Sequence, residues 1–205
     1  LRLLAETQIP KVFLDTSSLV SPDELNGDLL LMESRNSVRN ITAHLLEKGR
    51  TLPGFMGDIG YAQSNRERYE GFCQALMDAG KTPNPSLCLT TPLGIDSYRE
   101  EIDSFLSSLS RMPDAFVCAS DYVACILMQL LEKRGLRVPE DVAVSGFDNN
   151  LEDLLAENLT TVQVFNEELG SRLALQILYR IKYPHTPHEV TYLESKVLYR
   201  ASTGD

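Results

Sequence analysis

The chain has 205 residues, 43% apolar and 23% charged, enough material for one large or two small folded units with proper cores. No apolar run approaches the ~20 residues that a membrane-spanning helix needs. The formal net charge of −10 gives the surface a sign that repels phosphate backbones, so this polypeptide by itself is not expected to hold nucleic acid. Four cysteines (Cys73, Cys88, Cys118, Cys125) lack C-x-x-C spacing and read as buried free thiols of a reducing compartment.

In chain order, residues 11–14 and 29–32 read as strands. Val38, Ile41 and Leu45 then mark a helix that Gly49 ends. From about residue 50 a strand–helix unit recurs at roughly the ~30-residue length of a βαβ step. Its strands are 52–57, 86–91, 115–119 and 142–147. Ser64 followed by Glu67 has the form of a capping box, with Phe72, Ala75, Leu76 and Ala79 on one face before Gly80. Asp96 stands where it can cap a helix carrying Tyr98, Ile102, Phe105, Leu106 and Leu109. Ser120 or Asp121 caps another, whose stripe is Val123, Ile126, Leu127, Leu130 and Leu131. Residues 160–165 form a strand, Asn166 caps a helix carrying Leu169, Leu173, Ile177 and Ile181, and 183–187 is a loop. Residues 190–199 are again extended. Alternating strands and amphipathic helices predict an α/β fold whose parallel sheets are covered on both faces.

Ligands of open α/β sheets sit beyond the carboxyl ends of the strands. Those positions carry Asp15, Asp58, Ser120-Asp121 and Asp148, with Arg66 and Arg68 near the start of a helix. Carboxylates accept from neighbouring hydroxyls and a guanidinium donates a planar fork, which suits a sugar or another polyol. A strand-end Asp can instead cap the helix behind it, a reading that applies to Asp121, while Asp58 reads as a loop residue. Asp148 has no helix immediately after it. Gly54-Phe55-Met56-Gly57-Asp58-Ile59-Gly60 has the wrong spacing for a dinucleotide fingerprint, and no P-loop, G-x-S-x-G or H-E-x-x-H occurs. His44, His185 and His188 have no metal-ligand neighbours at useful spacing. No catalytic residue, cofactor or metal is therefore expected, and the chain does not read as an enzyme.

Longer segments carry a family resemblance. Arg68-Tyr69-Glu70-Gly71-Phe72-Cys73-Gln74-Ala75-Leu76 and Pro113-Asp114-Ala115-Phe116-Val117-Cys118-Ala119-Ser120-Asp121 resemble the effector domain of LacI/GalR transcriptional regulators. So does Arg134-Gly135-Leu136-Arg137-Val138-Pro139-Glu140-Asp141-Val142-Ala143-Val144-Ser145-Gly146-Phe147-Asp148-Asn149. Ile9-Pro10, Leu159-Thr160-Thr161-Val162, Glu168-Leu169-Gly170 and Arg200-Ala201-Ser202-Thr203 follow the same pattern in the same order.

The resemblance implies a periplasmic-binding-protein-like fold of type I, with two Rossmann-like lobes that the chain crosses three times. Residues 1–31 and 160–187 would form an incomplete N-terminal lobe, and residues 32–159 and 188–205 the C-terminal lobe. A helix-turn-helix headpiece and the opening elements of the N-terminal lobe would precede the sequence given. The implied ligand-binding residues are Arg68, Asp148, Ser120 and Asp15. Ser120 stands where the family usually has Asn, Pro92 where many members place an aromatic ring, and Glu33-Ser34, Ser37 and Arg50 also depart from the common pattern. The implied protein is a cytoplasmic, homodimeric repressor that senses a small sugar-like effector and meets operator DNA only through its headpiece, with no membrane partner. The alternative on the same fold is a secreted sugar-binding protein of a transport system.

Overall fold

A computed structural model describes residues 2–94, 96–150 and 157–205, and the alternation of strand and helix resolves there into two parallel sheets. The first joins β1 (Val12–Leu14), β2 (Asp28–Met32) and β8 (Val190–Leu193) in the order β1-β2-β8. The second joins β3 (Pro53–Met56), β4 (Cys88–Leu89), β5 (Ala115–Cys118) and β6 (Ala143–Ser145) in the order β4-β3-β5-β6. β7 (Thr161–Gln163) and β9 (Lys196–Leu198) form an antiparallel ribbon, which parallel bridges Ser145↔Thr160 and Asp148↔Gln163 attach to the β6 edge. The helices are α1 (Arg2–Ala5), α2 (Arg35–Glu47), α3 (Gln63–Asp78), α4 (Tyr98–Ser108), α5 (Asp121–Lys133) and α6 (Asn166–Lys182).

The second sheet is buried on both faces, and its side-chain period of two divides the core. Met56, Phe116 and Val144 point to one side, where Ile102 and Leu106 of α4 and Leu127 and Leu131 of α5 cover them. Phe55, Val117 and Ala143 point to the other, against Val38, Ile41 and Leu45 of α2 and Phe72 and Leu76 of α3. Each such Leu, Ile or Phe contributes ~1.5–3 kcal/mol by leaving water, so these two layers supply most of the fold's cohesion. The first sheet has a smaller core, with Leu25, Leu29 and Leu31 on one face and Leu30, Met32 and Leu169 on the other. The α6 stripe is only partly used: Leu169 is buried and Leu173 packs beside it, whereas Ile181 is exposed, as are Leu175 and Leu178 off the stripe. The loop at 183–187 is held to β2 by a buried ion pair. Arg180 grips both Asp28 oxygens and also donates to the Thr186 and Pro187 carbonyls.

Strand pairing differs from the sequence-based division at the two later crossings. Residues 160–187 were expected on one side, yet β7 hydrogen-bonds to β9 and bridges to β6, so the chain crosses near Val164–Phe165. The extended run 190–199 is two strands. β8 joins β2, and the chain then crosses at Glu194-Ser195, where Ser195 Oγ donates to the Glu33 carbonyl at 2.8 Å, beside the first crossing. Composition identifies these segments as strands, but which sheet accepts them is a non-local choice of partner. A smaller correction concerns α4: Asp96 does not cap it, since the helix starts at Tyr98 behind Ser97. Ser120 does cap α5, accepting from Val123 N at 3.3 Å. None of the four cysteines forms a disulfide.

α2 and α3 cross closely because Gly71 has no Cβ. A methyl there would lie 2.1 Å from the Arg35 carbonyl oxygen, a backbone atom that cannot swing away. Gly71→Ala is therefore expected to lower unfolding free energy by about 3 kcal/mol in urea titration, the upper end of ordinary overpacking costs. Gly80→Ala, in open space but at φ +69°, should show a smaller loss from backbone strain alone.

Candidate functional site

The second sheet's carboxyl ends converge on one side chain. Arg68 lies one turn before Phe72 on α3, so the spacing that sends Phe72 into the core aims Arg68 along the same face toward the strand ends. Its guanidinium carbon sits 3.6 Å from the centroid of the Phe147 ring, beyond β6. Nη1 donates to the Ala119 carbonyl, beyond β5, and to Asn65 Oδ1 at 3.3 Å. Nη2 lies 3.7 Å from Asp148 Oδ1, close enough for strong attraction and too far for a hydrogen bond. The residue is only 8% exposed. Burial pulls its pKa down, and the charges of Asp148, Asp15, Asp121 and Glu67 oppose that pull.

Asp148 reaches this position through an unusual backbone. It and Asn149 have φ of 116° and 51°, in a region that few residues besides Gly and Asn/Asp adopt. The strand ladder holds them there. Asp148 N donates to the Val162 carbonyl at 3.0 Å, and Asn149 N donates to Asp121 Oδ2 at 2.7 Å. The other Asp121 oxygen accepts from Thr161 Oγ1 at 2.6 Å. Gly146 makes room for this, since a Cβ there would lie 2.2 Å from Asp121 Oδ1. Asp121 is thus a tether, buried between α5 and β7, and does not use its side chain to cap its own helix. Burial raises its carboxyl pKa despite these hydrogen bonds. Burial also pushes Asp148 up, to about 6, with the Asp121 charge adding to the rise and Arg68 opposing it.

The other two expected residues are committed elsewhere. Ser120 Oγ accepts from Val123 N, so its oxygen serves the start of α5. Asp15, at φ 57°, closes β1 of the other sheet, and its carboxylate reaches over to α3. Oδ2 accepts from Ser64 Oγ at 2.6 Å and Oδ1 from Thr16 N at 2.7 Å, while Gln63 N donates to the Thr16 carbonyl at 2.8 Å. The expected Ser64/Glu67 capping box is therefore not formed. Ser64 is drawn to an acid from the other lobe, which places a negative charge at the positive end of the helix. Glu67 instead accepts from Tyr192 OH of β8 at 2.8 Å and from Gln63 Nε2 at 3.1 Å, a second bridge between the lobes. Sequence reasoning missed this pair because each residue had an ordinary local explanation.

Polar capacity at this junction is left unspent. Of the four buried side-chain polar atoms without a partner among the described residues, three lie here: Thr16 Oγ1, Arg66 Nε and Arg68 Nε. The fourth, Ser145 Oγ, is on β6. Buried polar groups are almost always satisfied, so this cluster has capacity for a further partner, whether a water or a bound molecule. A hydroxyl between Arg68 and Asp148 could accept from the one and donate to the other.

Comparison with known proteins agrees with this fold. A model of the periplasmic binding protein-like domain matches residues 42–203. The chain is 29% identical over 203 residues to the HTH-type transcriptional repressor PurR of Aliivibrio salmonicida, covering 98% of this chain and 59% of that protein. It is 31% identical over 172 residues to the HTH-type transcriptional regulator DegA of Bacillus subtilis, covering 82% and 48%. It thus spans less than two thirds of the length of these relatives. A solved LacI-family transcriptional regulator from Sanguibacter keddieii superposes with a TM-score of 0.81 at 27% identity, covering 96% of this chain and 72% of that one. The transcriptional regulator CelR in complex with cellobiose gives 0.75 at 26% identity, covering 85% and 54%.

The raised Asp148 pKa carries a stability cost with a definite sign. The folded state, at about 6 against an ordinary 3.8, binds the proton more tightly than the unfolded chain does. Stability therefore falls as pH rises between those two values and stays lowered above them. Asp148→Asn keeps the shape and the tolerance for positive φ but removes the charge. It is expected to unfold at higher urea near pH 7.5, by roughly 1–3 kcal/mol, with the gain vanishing below about pH 4. A variant that is less stable than the parent near pH 7.5 but equal to it below about pH 4 would show that the pairing with Arg68 outweighs the burial of the carboxylate.

Proposed function

Because the chain belongs to the family of periplasmic binding protein-like domains, we propose that it is the effector-sensing part of a LacI-type transcriptional repressor and binds a small sugar-like molecule between its two lobes. The observation that carries this reading is the Arg68–Asp148 pair, 3.7 Å apart, with guanidinium donors and carboxylate acceptors still available. A sugar hydroxyl satisfies both at once, and neighbouring hydroxyls extend the pattern. The regulators named above match over most of the chain, which favours this reading over a secreted sugar carrier on the same fold.

The proposed mechanism is a shift in lobe orientation. Asp15–Ser64 and Tyr192–Glu67 bridge the lobes without any ligand. An effector that contacts Arg68 and Asp148 on one lobe and the Thr16 hydroxyl on the other would favour the orientation in which all its contacts are made. Coupling of ~1–3 kcal/mol between effector and DNA sites is the usual scale, and the distribution of lobe angles need change only by that much. Operator DNA would be held by a helix-turn-helix segment outside these 205 residues, consistent with the net charge of −10, in a cytoplasmic homodimer. The role needs no catalytic group. Among the described residues no helix is long and apolar enough to cross a membrane, and no His/Cys/Asp/Glu group is arranged to hold a metal ion.

Calorimetric titration with pentoses, hexoses and, as a planar competitor, nucleobases tests the assignment. Arg68→Ala and Asp148→Ala should each weaken sugar binding by about 10- to 100-fold, the worth of a charge-assisted hydrogen bond. Ser120→Ala should weaken it only a few-fold, since its oxygen is spent on the helix cap. Unchanged affinity in the first two variants would overturn the site, and binding of nucleobases alone would overturn the ligand class.

A further inference from the structure

The carboxyl ends of β3, β4 and β5 carry a second group of side chains that the Arg68–Asp148 pair does not use. Tyr61 follows β3, Tyr98 opens α4 after β4, and Tyr122 lies in the first turn of α5 after β5. These are three neighbouring strands of the sheet. The rings of Tyr98 and Tyr122 meet edge to face, centroids 5.6 Å apart at 88°. Tyr122 is 52% exposed and Tyr61 78%. Burial first, then the Asp58 and Glu101 carboxylates and the Tyr61 and Tyr122 phenols, raise the Tyr98 phenol, so all five groups share one neighbourhood. The platform is continuous with the polar site. The Asp58 carbonyl accepts from Asn65 Nδ2 at 2.9 Å, and Asn65 Oδ1 in turn accepts from Arg68.

We propose that the effector site runs from Arg68 and Asp148 along the strand ends onto the Tyr61–Tyr98–Tyr122 platform, and that its occupant is a glycoside of at least two sugar rings. This rests on the sugar reading above and extends it. Size is the first argument. From the β6 end, which carries Asp148, to the β4 side, which carries Tyr98, there are three strand spacings of ~4.8 Å, or roughly 14 Å. One sugar ring falls short of that span, and two or three linked rings fill it. Chemistry is the second. The C–H faces of a pyranose suit the negative π face of a tyrosine, and two rings at right angles form a corner for a puckered ring, where a flat heterocycle would want a parallel slot. Charge is the third. Asp58 and Glu101 beside the platform repel phosphorylated or acidic sugars, leaving neutral ones. The structure also offers a ring surface for stacking although Pro92 replaces the aromatic residue that the family resemblance led one to seek.

The chain has eight tyrosines and no tryptophan, so tyrosine emission is unmasked, and the part of a change that is lost in the Tyr61→Ala/Tyr122→Ala variant reports the platform. Glucose, galactose, ribose, cellobiose, maltose and lactose would be titrated into the purified protein, with calorimetry alongside. At least one disaccharide should bind about 10-fold more tightly than its constituent monosaccharides and change the tyrosine emission. The Tyr61→Ala/Tyr122→Ala double variant should lose that advantage while monosaccharide affinity stays within about two-fold. Tyr122→Phe should retain it, because stacking needs the ring and not the hydroxyl. Both positions are exposed, so thermal melting should be unaffected. Equal affinity for one ring and two, or a loss shared equally by both classes in the double variant, would overturn the platform and leave the Arg68–Asp148 site standing. If no sugar binds the parent protein, the sugar reading itself fails, and the extension fails with it.

Discussion

A guanidinium taken out of water must be compensated, and much of the architecture at the lobe junction answers to that need of Arg68. Its flat face lies on Phe147, one donor is given to the Ala119 carbonyl, and four acids surround it. These partners come from five places in the fold: the ends of β5 and β6, the start of α5, the α3 helix itself, and the loop after β1 of the other sheet. Moving any one of these elements would leave a buried charge less well paired, which is costly in a low-dielectric setting. The same residue therefore sets how the strand ends converge and how the second lobe approaches.

The acids around Arg68 are not equivalent, and the differences separate structural from functional roles. Asp121 accepts from Asn149 N and Thr161 Oγ1, so its charge is spent on holding the bend after β6. Asp15 is spent on Ser64 and Thr16 across the lobe junction. Asp148 alone among the three accepts no side-chain hydrogen bond among the described residues; its backbone, like that of Asp15, is at positive φ, and its carboxyl is raised to about 6. A strained, poorly satisfied, partly exposed acid beside an arginine with donors to spare is costly to keep. Such costs cluster where binding requires them.

The two lobes are joined by polar contacts, and only the larger carries an extensive core. Beyond the crossings, the bridges are individual hydrogen bonds, from the Ser64 hydroxyl and amide to Asp15 and from Tyr192 to Glu67, each of a strength that a bound molecule can match. The large sheet, by contrast, is closed on both faces by α2, α3, α4 and α5. Rigid strand ends with adjustable bridges between them are what a ligand-driven change of orientation needs.

Much of this was legible in the residues. Runs such as Ala115-Phe116-Val117-Cys118, with one apolar neighbour for each face, and helical stripes such as Val123, Leu127 and Leu131 specify buried parallel strands and their covering helices, because burial periodicity is a local property. The pairing of Arg68 with Asp148 also followed from the strand-end positions and the family pattern. Tertiary structure alone decided the rest. β7 and β8 look alike as sequence, yet they join different sheets, because a strand's partner is chosen in space: β8 pairs Val190 with the distant Leu29, while β7 pairs Gln163 with Lys196. Ser64 and Glu67 have the spacing of a capping box, but acids and hydroxyls take the best partner in space, and here those partners are Asp15 and Tyr192 from the other lobe. The sequence by itself determined which elements exist and which strand ends carry polar groups. Only the fold decided which of those groups satisfy one another, since hydrogen bonding depends on distances that chain spacing does not encode, and so which remain free to meet a ligand.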